Sequence, residues 1–253
     1  MRSSLPFKNI NYQSATIAEF YATNRVTWDS LYPSEKAVVE QVGINRDDSV
    51  LDIGCGCGGL ALALAEKYGP VIYTGVDINE AAVIAGKSLV PEATMLYGDV
   101  LEVSNRVIAE KQYRLVFSLS CVDWNVQFEE MLSTAWSHVE PGGYLIATFR
   151  LCAGPSISDI EKSFQYVNFD GLQHGEKAPY VVLNLADLLT RLRALNPAKI
   201  IANGYWGTPS KSARTPYESL CFSAFGIRKP KLELEREFTQ DLVLPADLLE
   251  FRE

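Results

Sequence analysis

Histidine is nearly absent from this 253-residue chain, which has two, His138 and His174. Cysteine occurs five times, at Cys55, Cys57, Cys121, Cys152 and Cys221, an odd count that suits a reducing compartment better than a disulfide framework. Cys55 and Cys57 stand one residue apart, too tight for an ordinary zinc pair, and no second Cys/His pair completes a site. No metal is expected, and the two read as small residues filling a turn. Basic charge is in deficit, with 23 Lys and Arg against 31 Asp and Glu and a net charge of −8. That balance argues against unassisted binding to phosphate backbones or anionic lipid. Arg191, Arg193 and Lys199 come nearest to a basic patch and read as a solvated helix face. Apolar runs of membrane-spanning length are missing, and the N-terminus lacks the apolar core of a signal peptide. The expected partner is a small molecule, without nucleic acid or membrane; a cytoplasmic location is expected, and a homodimer is left open. Repeats, low-complexity segments and linkers are also lacking, so a single domain over residues 1–253 is expected.

What the chain does have is 47% hydrophobic residues in an alternating rhythm of strand and helix. Residues 1–48 read as two helices, the second over Ser34–Val42, joined by an aromatic-rich stretch containing Tyr21, Arg25, Trp28 and Tyr32. That segment either folds over a ligand as a lid or packs a helix onto the sheet through Trp28 and Tyr32. Strands are predicted at Ser49–Ile53, Val71–Val76, Ala93–Tyr97, Arg114–Leu119 and Tyr144–Phe149, with helices between them, including one near Ser104–Lys111. Short connections and continuous apolar strands predict an α/β fold with a parallel sheet covered on both faces. Residues 151–183 break the rhythm and read as an insertion on the substrate side. Regularity returns with a helix capped by Asn184 and strands at Ala198–Tyr205 and Glu218–Ile227, leaving a tail at 229–253.

The most informative stretch is Val50-Leu51-Asp52-Ile53-Gly54-Cys55-Gly56-Cys57-Gly58-Gly59: a buried strand, a glycine turn and a helix start, where backbone can approach a ligand closely. Gly54, Gly56 and Gly59, with Asp77 downstream, also satisfy a dinucleotide fingerprint. The turn by itself therefore indicates only an adenosine-bearing ligand. Asp52 two residues before the first glycine, Gly98-Asp99 closing strand three, and Pro141-Gly142-Gly143 before strand five separate the two classes. Together they resemble the motifs of the class I S-adenosylmethionine (SAM)-dependent methyltransferases.

That resemblance implies a Rossmann-like doubly wound, seven-stranded sheet with an antiparallel last strand, an N-terminal helical lid over 1–48, a SAM-binding core over 49–150, the 151–183 insertion, and the second half of the sheet over 184–228. It implies SAM as cofactor, with Asp77 on the ribose hydroxyls, Asp99 on the adenine amine, and Asp52 near the methionine end. Gly54, Cys55, Gly56 and Gly58 form the turn, Ile78 and Val100 flank the adenine, and Ser118, Tyr21 and Arg25 join the cofactor side. Because the sulfonium is already activated, the protein has mainly to place a nucleophile, with a base when an alcohol attacks. Asp123 and His174 are the candidate bases, although Asp123 also reads as a helix cap and His174 as a surface residue. Trp28, Trp124, Arg150 and Tyr166 are candidate substrate contacts. The activity implied is methyl transfer to a small polar metabolite, glycan or natural-product intermediate. An NAD(P)-dependent oxidoreductase and a non-catalytic binding protein of the same fold are the alternatives.

Overall fold

The computed structural model describes residues 16–102, 108, 111–125, 127–167, 172–232 and 237–249. The first half of the chain runs α1 (Thr16–Thr23), α2 (Pro33–Val42), β1 (Ser49–Ile53), α3 (Gly59–Tyr68), β2 (Ile72–Asp77), α4 (Glu80–Leu89), β3 (Thr94–Tyr97) and β4 (Tyr113–Ser118). It continues through α5 (Phe128–Ser137), β5 (Val139–Cys152), β6 (Phe164–Tyr166), β7 (Lys177–Pro179), β8 (Leu183–Asn184) and α6 (Leu185–Ala194). The last elements are β9 (Lys199–Gly207), β10 (Ala213–Arg214), β11 (Leu220–Arg228), β12 (Thr239–Val243) and α7 (Ala246–Leu249). Most of the helix predicted near Ser104–Lys111 lies outside the described residues.

The main sheet has the order β12-β9-β11-β5-β4-β1-β2-β3, with short β8 added parallel to the end of β5. Strands β1 to β5 pair in parallel. Strand β11 inserts antiparallel between β5 and β9. The expected seven strands are therefore present with their antiparallel member, and β12 extends the sheet by pairing parallel to β9. The tail thus supplies an edge strand. The pairing falls at Thr239–Val243.

Helices cover both faces, as continuous apolar strands require. Val38, Val39, Leu60, Leu64 and Val83 from α2, α3 and α4 pack on one side with Val50, Leu115 and Ile146. Phe128, Leu132, Leu188 and Leu192 from α5 and α6 pack on the other with Leu51, Val116 and Leu145. Strand β5 is longer than predicted, because Val139 already bridges Tyr113 before the register shifts at the Pro-Gly-Gly turn. The segment read as irregular contains β6 and β7, which form a small antiparallel sheet with distant β10. Helix α1 lies against α4, with Ala18, Cys57 and Ala82 buried together.

Candidate functional site

The C-terminal ends of β1, β2 and β3 open into a cavity of about 590 Å³, within the ~300–1,000 Å³ typical of ligand pockets. In an open parallel sheet this rim, where strand order reverses beside β1, is where ligands bind. The glycine turn follows β1 directly. Gly54 and Cys55 N–H both donate to the Val76 carbonyl, at 2.8 and 3.2 Å, so the turn is fastened to β2. Gly54 has φ +76°, and a Cβ there would stand 2.5 Å from Cys121 Sγ. Backbone conformation and space both demand glycine. Gly58 serves as the left-handed N-cap of α3.

Asp77 ends β2 with Oδ2 accepting Gly56 N–H at 2.7 Å and Oδ1 accepting Asn79 N–H at 2.8 Å. Burial raises its pKa, and these backbone donors oppose the rise. Each oxygen has a second lone pair for a ligand hydroxyl. Asp99 accepts Leu101 N–H at 2.9 Å and is buried. Asp52 is buried under the turn and accepts Tyr73 Oη–H at 2.5 Å. Burial pushes its pKa up to about 7, opposed by that hydrogen bond.

From the N-terminal side, the Tyr21 ring covers Gly56, with Cγ 3.2 Å from where a Cβ would stand. Arg25, in the left-handed region at φ 61°, closes the same side. Its Nη2 donates to both oxygens of the fully buried Glu35, at 2.8 and 2.7 Å. Glu35 also accepts Tyr32 N–H at 2.8 Å, which ties the loop to α2.

Of the residues anticipated from sequence, Tyr21, Arg25, Asp52, Gly54, Cys55, Gly56, Asp77, Ile78, Asp99, Val100 and Trp124 line the cavity. The rest lie elsewhere among the described residues. Gly58 faces Met95 and Val90 and serves helix packing. Ser118 is buried in β4, beneath the rim. Trp28 is not a substrate contact: it is buried, with its ring edge-on to Tyr68 and its backbone N–H donating to Glu66. That is the packing alternative, and Tyr32 lines the cavity in its place. Tyr166 is displaced by strand alternation, since its neighbours Gln165 and Val167 point inward. His174 is an exposed loop residue away from the cavity. Asp123 and Arg150 form a buried ion pair, Nε to Oδ2 2.8 Å, and Arg150 Nη2 also donates to the Asp123 carbonyl. The guanidinium lies 4.5 Å from the Trp124 ring centroid and 3.7 Å from that of Tyr180. Asp123 therefore neither caps α5 nor reaches the cavity, and Arg150 is engaged as a strut behind the wall.

Sequence reasoning missed Phe20, Asn24, Ser120, Asn125, Gln165 and Val167, all on the lining. Ser120 and Asn125 both follow the end of β4, so their place after the strand could have found them. Nothing local marks Gln165, which the β6–β7–β10 sheet brings over the rim.

Residues 50–143 match the family model described as a methyltransferase domain. The chain is 29% identical over 157 residues to trans-aconitate 2-methyltransferase of Deinococcus radiodurans, covering 58% of each. It is 26% identical over 129 residues to malonyl-[acyl-carrier protein] O-methyltransferase of Priestia megaterium, covering 47% of this chain and 46% of that one. The chain spans about half the length of the curated relatives it matches. Among solved structures, phosphoethanolamine N-methyltransferase 2 of Haemonchus contortus in complex with SAM is similar in fold at a TM-score of 0.58 and 15% identity, covering 86% of this chain and 57% of that one. The [4+2]-cyclase SpnF is similar in fold at a TM-score of 0.52 and 15% identity, covering 78% and 80%. Glycine turn, acid series and strand order thus accompany a methyltransferase-domain match over residues 50–143 and a fold similar to that of a SAM-binding methyltransferase.

Proposed function

We propose that this protein transfers a methyl group from SAM to a small molecule such as a polar metabolite, glycan or natural-product intermediate. The observation that carries the proposal is the convergence of Asp52, the glycine turn, Asp77 and Asp99 on one cavity at the sheet's C-terminal rim. These groups suit an adenosyl ligand: Asp77 for ribose hydroxyls, Asp99 for the adenine edge, Ile78 and Val100 for its faces, and Asp52 towards the ammonium of the amino-acid end. Tyr21 and Arg25 close the cofactor side as a lid over the turn, a role supported by the fit of the Tyr21 ring against Gly56. SAM supplies an electrophilic methyl on a positively charged sulfur; the chain's part is to bind, orient and exclude water. With His174 exposed and Asp123 paired, no residue is assigned as general base, and positioning is left as the main contribution.

The antiparallel β11 between β5 and β9 weighs against an NAD(P)-dependent oxidoreductase, whose sheet is ordinarily parallel in the order 3-2-1-4-5-6. A non-catalytic role is disfavoured by the intact acid series, although the cyclase of similar fold is a reminder that fold alone does not fix activity. Incubating the protein with methyl-labelled SAM and a pooled extract of small metabolites should move label into a low-mass product and release S-adenosylhomocysteine. Label that stays in SAM with every pool, in a protein that binds the cofactor, would contradict catalysis.

A further inference from the structure

We infer that the methyl acceptor is not an anion: it is held by neutral hydrogen-bonding groups and aromatic surface and not by a cation. This rests on the methyltransferase reading and goes beyond it by naming the acceptor's chemistry. Among the described residues lining the cavity, three are carboxylates, Asp52, Asp77 and Asp99, and one is a cation, Arg25. Arg25 already has its counter-ion, because Nη2 reaches both oxygens of Glu35, whose side chain is 0% exposed. The next arginine, Arg150, is off the lining, buried behind the wall with Asp123 as its counter-ion and its Nη1 left without a hydrogen-bond partner among the described residues. With the three carboxylates and Arg25 on the cofactor side, a carboxylate or phosphate on the acceptor side would surrender hydration and meet no cation among the described residues of the lining there.

The acceptor side offers other groups. Ser120, Asn125 and Gln165 present uncharged polar side chains beside Leu119, Trp124 and Val167. Ser120 is a non-glycine residue at φ 50°, and its N–H donates to Thr148 Oγ1 at 2.6 Å. Backbone held in a sparsely populated region by its surroundings collects at functional sites, and this residue sits where β4 ends in the cavity. Of the lining rings, Tyr32 and Trp124 each already carry a cation, Arg25 at 4.8 Å and Arg150 at 4.5 Å. The chain thereby departs from relatives whose names carry anionic substrates, trans-aconitate and a malonyl group.

Calorimetric titration of trans-aconitate, as a probe anion, into the full chain loaded with S-adenosylhomocysteine tests the inference. No saturable binding is expected at sub-millimolar concentration; a Kd below about 0.1 mM would overturn it. In Glu35→Gln, which leaves Arg25 without its counter-ion, trans-aconitate affinity should rise about tenfold or more. A folded variant with no gain would show that Glu35 is not what excludes anions and would overturn the argument; if the variant fails to fold, the wild-type titration decides. Failure to load S-adenosylhomocysteine would sink the methyltransferase reading instead, and the anion titration of the unloaded chain would still read the cavity's charge preference.

Discussion

Asp52 joins two pH dependences of opposite sign. Its pKa is about 7 in the folded protein against an ordinary value of 3.8, because burial disfavours the charged form. The native state therefore holds this proton more tightly than the unfolded chain does. Stability from this group is full at acid pH, declines as pH rises from about 4 towards 7, and is lost above it, a change on the order of 4 kcal/mol. Asp52→Asn should flatten that part of the stability curve, measured as the difference in denaturant midpoints between variant and wild type across pH 4–8; parallel curves would show that Asp52 is not the group responsible. Binding runs the other way, since a ligand with a cationic amino-acid end prefers the ionised carboxylate. S-adenosylhomocysteine affinity should rise about tenfold between pH 6 and 8 in wild type and stay level in Asp52→Asn. A level profile in wild type would remove Asp52 from the ligand's charged end.

At this scale the sequence was informative where chemistry is local. Asp52, Asp77 and Asp99 stand at strand ends and declare themselves by position. Pairs across the fold do not. Glu35 reads as an ordinary first-turn acid of α2, yet it holds Arg25 ten residues earlier. Arg150 and Asp123 each suggested a functional residue, and each is occupied by the other across 27 positions.

Elements show the same division. Strands β1 to β4 were legible as short apolar runs between helices, and α6 as a periodic stretch with an Asn cap, whose side chain accepts Ala186 N–H at 2.9 Å. The β6–β7–β10 sheet was not, because its third strand comes from residues 213–214 and contributes two residues. The junction of the α1–α2 segment with α3 makes a specific test. Gly59 opens α3 with ordinary helical backbone, so alanine there would gain about 1 kcal/mol by intrinsic propensity. Its Cβ, however, would stand 2.7 Å from the Arg25 carbonyl oxygen and 3.2 Å from Val26 Cγ1. Gly59→Ala should therefore keep the sheet intact while lifting the N-terminal segment. Trypsin cleavage after Arg25 should become faster than in wild type with little change in far-ultraviolet circular dichroism. Unchanged cleavage would show that the segment is not seated against α3 in this way.

For the molecule as a whole, the acidic balance and the cavity's charge agree. A net charge of −8 accompanies a site whose single lining cation is internally paired among the described residues. Among those residues, no helix is long and apolar enough to cross a membrane. The sheet's two ends have different tasks. The β1–β4 end carries the cavity, while β12 lies on the far edge, joined through Gln41 Nε2 to Asp241 at 2.7 Å and Arg193 Nη2 to Gln240 at 2.8 Å. The central claim is that the rim of β1, β2 and β3 is an adenosyl site, and calorimetry with S-adenosylhomocysteine and NAD on wild type and Asp77→Asn tests it most directly. Wild type should bind S-adenosylhomocysteine saturably and ignore NAD, and the variant should lose about 1–3 kcal/mol of that affinity. Binding of NAD with no response to S-adenosylhomocysteine, or unchanged affinity in a folded Asp77→Asn, would contradict it.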